Sequence, residues 1–266
     1  MPAPLPRLLL ALIFSAALSC AAAETKVGPP QGKLLVVGGG AMGPLWEVFI
    51  ELAGGKDAPI VVIPTANEPV AEVDAGVKTL RTRGATNVTQ IHSRDPKIAD
   101  TEEFVAPLRT ARGVWITGGR QWRLADSYLG TRTLKELFAV LARGGVIGGS
   151  SAGATIQGSY LVRGAPSGNT IMMSPGHEEG FAFLRDTAID QHVNTRGRAE
   201  DLRPVLKAQP TLLGIALDEA TAIIVRGDRA EVVGAGSVRF FAAPEAPADL
   251  LNAGAHYDLA ARRRLP

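Results

Sequence analysis

The 266-residue chain has a single cysteine, Cys20. Without a second thiol no intrachain disulfide can form. With Cys20 so near the N-terminus, the body of the chain has neither a thiolate nucleophile nor a cysteine metal site. An excess of either charge is also missing: 28 Lys and Arg against 26 Asp and Glu leave a formal net charge of +2. Nucleic-acid binding ordinarily needs a concentrated basic face. The one basic cluster, Arg262-Arg263-Arg264, lies at the C-terminus and reads as a solvated tail. After residue 18 no apolar run is long enough for a membrane span, and there is no internal repeat or low-complexity linker. Histidine is scarce, at His92, His177, His192 and His256, so any histidine base has few candidates.

What is present begins with a targeting pattern. Arg7 supplies positive charge, the apolar stretch 8–18 is too short to cross a bilayer as a stable helix, and Ala21-Ala22-Ala23 offers small residues for cleavage. This predicts a signal peptide over 1–23, an exported protein, and one mature domain over 24–266. Leu18-Ser19-Cys20 also loosely resembles a lipoprotein signal, with Cys20 as the lipidated residue. Ala17 stands where leucine is usual, so lipid anchoring ranks second.

Further along, strands predicted at 33–37, 59–64, 88–91 and 113–116 alternate with helices predicted at 45–53, 72–83, 101–110 and 133–142. Such alternation implies an α/β fold, a mostly parallel sheet with helices on both faces. Ligands of such sheets gather at the carboxyl ends of strands. Three of those ends are glycine-rich: after Val37, after Ile116 and after Ile147. Gly38-Gly39-Gly40 lacks the spacing of a dinucleotide-binding turn. The second half is less regular, with a loop at 174–180, strands at 187–189, 213–217 and 238–242, a helix over 198–208, and a hairpin around Gly227-Asp228.

The third glycine-rich end is the most informative. Gly149, Ser151 and Gly153 match the G-x-S-x-G pattern of a nucleophile elbow, in which a strand turns sharply into a helix and exposes a serine hydroxyl. The amide after it, Ala152 N–H, then lies at a helix start that favours developing negative charge. A serine needs a base, and the base needs an orienting acid. His256 lies in the tail, and His92 has no evident acidic partner. His177 sits beside Glu178 and Glu179, and His192 sits in the dense polar run Asp190-Gln191-His192-Val193-Asn194-Thr195-Arg196. Asp218-Glu219 ends an apolar strand and offers the acid, with either residue eligible. The order Ser, His, acid differs from the Ser, acid, His order of α/β-hydrolases, which disfavours a lipase-like esterase.

These residues bring a family into view. Ile116-Thr117-Gly118-Gly119-Arg120-Gln121, Gly149-Ser150-Ser151-Ala152-Gly153-Ala154, Asp190-Gln191-His192 with Arg196-Gly197-Arg198, and Gly214-Ile215-Ala216-Leu217-Asp218-Glu219 follow one another along the chain. In this the sequence resembles the cyanophycinase and peptidase E family of serine peptidases over about 34–225, and the second half resembles the cyanophycinase branch. The resemblance implies a single domain with a class I glutamine amidotransferase-like, flavodoxin-like fold. It implies a triad of Ser151, His192 and Glu219 and a substrate pocket of Gln121, Asp190, Gln191, Arg196 and Arg198. It implies cleavage of cyanophycin, a poly-aspartate carrying arginines, into β-aspartyl-arginine, with no metal or organic cofactor, and a homodimer. The oxyanion would be held by Ala152 N–H and an amide of the Gly39-Gly40 turn. Arg196 and Arg198 suit free carboxylates, and Gln121 and Gln191 suit an amide-rich substrate. The competing structural reading of the two arginines is a salt-bridge cluster with Glu200 and Asp201. Two departures bear on substrate. Arg120 stands where an acidic residue is expected, and Asp201 stands near where another arginine is usual. An α-aspartyl dipeptidase or isopeptide hydrolase, and an exported non-catalytic binding protein, are the alternative functions.

Overall fold

The computed structural model describes Met1 and residues 26–266. Apart from Met1, the expected signal peptide and Cys20 lie outside the described residues. The first half runs β1 (Lys33–Val37), α1 (Leu45–Ala53), β2 (Ile60–Ile63), α2 (Ala75–Thr82), β3 (Val88–Gln90), α3 (Pro96–Ala99), α4 (Glu102–Thr110), β4 (Gly113–Ile116), α5 (Gln121–Tyr128), α6 (Arg132–Ala142), β5 (Val146–Ser150) and α7 (Ala152–Thr155). The second half runs β6 (Gly158–Tyr160), β7 (Leu184–Asp190), α8 (Val193–Arg196), α9 (Leu202–Ala208), β8 (Leu213–Leu217), β9 (Thr221–Arg226), β10 (Arg229–Gly234), β11 (Ser237–Phe241), β12 (Asp249–Asn252), β13 (His256–Asp258) and β14 (Arg263–Arg264).

The expected parallel sheet is present as the block β1-β5-β4-β2-β3. Its strands are apolar on both faces because both faces are covered. Leu34 and Val36 point into one core with α4, α5 and α6, while Leu35 and Val37 point into another with α1 and α2. Each fully buried Leu, Ile or Phe in these layers contributes about 1.5–3 kcal/mol. β9, β10, β13 and β14 extend the block antiparallel into a nine-stranded mixed sheet. The C-terminus is therefore paired, not a solvated tail: Asp258 pairs with Arg263, and Arg262 donates to the Ala242 carbonyl at 2.9 Å.

The less regular second half also builds a separate five-stranded sheet, β12-β11-β8-β7-β6. Ile189, Ile215 and Leu217 pack into the same core as Leu34 and Val36. Ala188, Ala216 and Phe241 face the opposite way, onto Leu202, Val205 and Leu206 of α9. Strand ends from the two sheets meet beside β1. Among the described residues no helix is long and apolar enough to cross a membrane.

Candidate active site

Ser151 sits between β5 and α7 with φ 57° and ψ −112°, outside the regions comfortable for a residue bearing a side chain. Such a conformation costs on the order of 1–3 kcal/mol and persists only where its surroundings fix it. Two glycines do so. A Cβ on Gly149 would fall 2.2 Å from the Gly153 carbonyl oxygen, and one on Gly153 would fall 2.1 Å from that of Ile116.

The end of β1 positions all three candidate catalytic residues. Consecutive carbonyls there each receive one of them: Val37 O accepts from Ser151 N–H at 3.0 Å, Gly38 O from His192 N–H at 2.8 Å, and Gly39 O from Ala220 N–H, next to Glu219, at 2.9 Å. The missing side chains of the turn then give room to the base and the acid. A Cβ on Gly39 would lie 2.3 Å from His192 Cε1, and one on Gly40 would lie 2.7 Å from Glu219 Oε2. Gly39 and Gly40, the residues expected to supply an oxyanion donor, therefore also pack directly against His192 and Glu219. The glycine beside the hydroxyl is Gly118, whose Cβ direction ends 3.3 Å from Ser151 Cβ and 3.8 Å from Ser151 Oγ. Ala152 N–H is the first amide of α7.

The side chains form one line. His192 Nε2 is 2.9 Å from Ser151 Oγ, and its Nδ1 is 2.5 Å from Glu219 Oε1. Thr195 Oγ1 also donates to Glu219 Oε1 at 2.9 Å, and Glu219 N–H donates to Asn194 Oδ1 at 2.9 Å. Burial pushes the His192 pKa below the usual histidine value; the Glu219 contact opposes this and Arg196 reinforces it. The imidazole is thus neutral near pH 7, as a general base must be. Hydrogen bonds from His192 and Thr195 hold the Glu219 carboxyl below its usual range, so it stays ionised. Asp218, the other eligible acid, is turned away: it accepts from Ser237 N–H and Oγ at 3.0 and 2.8 Å and from Arg239 at 3.2 Å. The other histidines are engaged elsewhere, His92 with Thr65 at 2.9 Å and His177 beside Asp126 at 3.5 Å.

The expected substrate residues fall into two groups. Asp190, Gln191 and Arg198 are buried together, and Arg198 Nη1 donates to the Gln191 carbonyl and Oε1 at 3.1 and 3.3 Å. Gln121 is also buried, donating to the Val162 carbonyl at 2.9 Å, one residue before Arg163. Arg196 is exposed, with no side-chain partner among the described residues. Asp190 is not a free ligand group. Arg163, which sequence reasoning missed, holds both its oxygens at 2.8 Å and reaches Asp201 Oδ2 at 2.5 Å. The competing salt-bridge cluster of Arg196 and Arg198 with Glu200 and Asp201 does not form, since Glu200 pairs with Arg203 and Asp201 with Arg163. A cation directly after the apolar pair Leu161-Val162 was the available signal for Arg163. Arg120 donates to the Ala165 carbonyl at 2.5 Å, and burial lowers its pKa. No group of His, Cys, Asp or Glu among the described residues could hold a metal ion.

Comparison with known proteins agrees with this geometry. The model of peptidase family S51 matches residues 34–233. The cyanophycinase of Nostoc sp. is 32% identical over 197 residues, spanning 72% of this chain and 66% of that protein, so the match stops just short of two thirds of the relative's length. The cyanophycinase of Geminocystis herdmanii is 30% identical over 198 residues, 71% of each chain. Among solved structures, a peptidase from an acI-B1 Actinobacterium superposes with a TM-score of 0.69 at 24% identity, covering 86% of this chain and 97% of that one. A putative peptidase E from Listeria monocytogenes gives 0.58 at 21% identity, covering 77% and 99%. At those identities the two structures speak to the fold alone, a class I glutamine amidotransferase-like α/β architecture. Family model, relatives and fold agree: this chain belongs to peptidase family S51.

Proposed function

We propose that the chain hydrolyses β-aspartyl peptides of the cyanophycin type through an acyl-enzyme on Ser151. The observation that carries this is the unbroken line Ser151 Oγ, His192, Glu219, with contacts of 2.9 and 2.5 Å. His192 Nε2 takes the hydroxyl proton as Ser151 Oγ bonds to the scissile carbonyl carbon. Ala152 N–H, the first amide of α7, holds the resulting oxyanion. His192 returns the proton to the departing amine as the carbon–nitrogen bond breaks. Water then attacks the acyl carbon, giving a proton to His192, which passes it to Ser151 Oγ as the acyl–oxygen bond breaks and the acid product leaves. Glu219 keeps the Nδ1 proton in place and stabilises the imidazolium.

On the acyl side, Arg163 is balanced by Asp190 and Asp201, Arg198 stands 3.7 Å from Asp190 Oδ1 that Arg163 already holds, and Arg196 is exposed with no ion pair among the described residues. Arg196 and Arg198 suit the free carboxylates of a β-aspartyl substrate. The signal-like pattern of residues 1–23 supports export as the setting. The test is product analysis by mass spectrometry with cyanophycin, β-Asp-Arg and α-Asp dipeptides side by side. Release of β-Asp-Arg from cyanophycin, lost by several orders of magnitude in Ser151→Ala, is the expected result. Cleavage of α-Asp dipeptides alone would move the assignment to an α-aspartyl dipeptidase, and full hydrolysis by Ser151→Ala would end the mechanism.

A further inference from the structure

A second recess of about 370 Å³ opens beside the nucleophile, bordered by Gly40, Gly118 and Ser150. It shares no lining residue with the cluster of Asp190, Gln191 and Arg198. Its walls are Trp46 and Trp115, ring centroids 4.7 Å apart, and its one ionisable lining residue is Asp74. Asp74 is 4% exposed, yet it has no cationic partner among the described residues. Its neighbours are neutral: Gly76 N–H donates to Oδ1 at 2.7 Å and Asn67 Nδ2 to Oδ2 at 2.9 Å. The first contact caps α2. It accounts for one oxygen of a group with about four acceptor sites. Buried carboxylates are ordinarily paired with a cation. Aromatic walls with one anion at the floor are the surroundings that a guanidinium or ammonium prefers. Gly76 keeps the floor open. A Cβ there would stand 3.0 Å from Asp74 Oδ1, 3.4 Å from Trp115 Cδ1 and 3.5 Å from Thr117 Cγ2.

We infer that this recess is a subsite for a cationic side chain of the residue flanking the scissile bond, with Asp74 as its specificity-determining anion. The inference rests on Ser151 being the acyl acceptor. It assigns to the two sides of the nucleophile opposite electrostatic tasks: arginines on one side for substrate carboxylate, Asp74 and two tryptophans on the other for substrate cation.

Binding and turnover test it separately. Calorimetry on the Ser151→Ala chain compares Nα-acetyl-L-argininamide with Nα-acetyl-L-citrullinamide, whose side chain has the same shape and no charge. Argininamide should bind at least about tenfold more tightly. Asp74→Asn keeps a capping side chain and should erase that preference, while Gly76→Ala should weaken argininamide by narrowing the floor without altering charge. Equal binding of the two ligands, binding of neither, or an undiminished preference in Asp74→Asn would overturn the subsite. In turnover, the ratio of kcat/KM for substrates with arginine against citrulline next to the scissile bond should fall toward one in Asp74→Asn. Absence of hydrolysis in the wild-type chain would count against the proposed activity, and the binding arm would still decide the subsite.

Discussion

Replacing Gly39 with alanine separates backbone strain from placement of the catalytic base. Gly39 has φ +107°, and its added Cβ would sit 2.3, 2.6 and 2.7 Å from His192 Cε1, Nε2 and Nδ1. To regain ordinary carbon–carbon contact the ring must retreat by about 1 Å. Its Nε2 would then leave hydrogen-bond range of Ser151 Oγ, now 2.9 Å away. Misplacement of that size costs on the order of a hundredfold in rate. The left-handed backbone adds about 1–2 kcal/mol of destabilisation. Gly55 is the matched control: its φ is +101° and nothing stands within 4 Å of its Cβ position. Gly55→Ala should lose similar stability while keeping full activity. The assay is the rate of Ser151 modification by a serine-directed phosphonate, with melting temperature measured in parallel. Wild-type labelling in Gly39→Ala, or equal loss of labelling in both variants, would refute the steric argument.

Three further outcomes follow from the same contacts. Because burial and Arg196 hold the His192 pKa down, kcat/KM should persist through neutral pH and fall only below the ordinary histidine range. Removing the Arg196 charge in Arg196→Gln eases protonation, raises that pKa and should move the acidic limb to higher pH; an unmoved limb in the pH–rate profile would contradict this. Arg163→Gln strips the fully buried Asp190 of the cation that holds both its oxygens, leaving only Arg198 at 3.7 Å, and should cost about 3–5 kcal/mol, read by urea unfolding; a loss under about 1 kcal/mol would refute the dependence. Glu219→Gln should lower kcat by about two to four orders of magnitude, whereas Asp218→Asn should affect only stability through Ser237 and Arg239; equal kinetic loss in both would undo the choice of acid.

The central strands were legible because runs such as Leu34-Leu35-Val36-Val37 stay apolar without alternation, which only a doubly covered strand tolerates. The helix 45–53 was legible to its ends because Gly54 closes it in the left-handed conformation. The elbow was legible because its glycines and serine fall within five consecutive residues, although the contact that forces Gly153 comes from Ile116 on the neighbouring strand. The second sheet was not separable from the first: β6, β12, β13 and β14 span two to four residues each, too few for a period to register. The helix α5 was missed because Gln121 to Tyr128 mixes polar residues into its buried face. Arg163 and Asp190 lie 27 positions apart, and the role of the Gly39-Gly40 turn depends on side chains some 150 to 180 positions away. Those pairings are properties of the folded chain, not of any local pattern.

Ser151 hangs from the nine-stranded sheet, and His192 and Glu219 from ends of the five-stranded one. Hydrolysis therefore works as a gauge of how the two layers are seated. On gentle denaturation, slippage of one slab against the other should silence the enzyme while most of its circular dichroism survives, and a screen for turnover will also select variants that grip this seam more firmly.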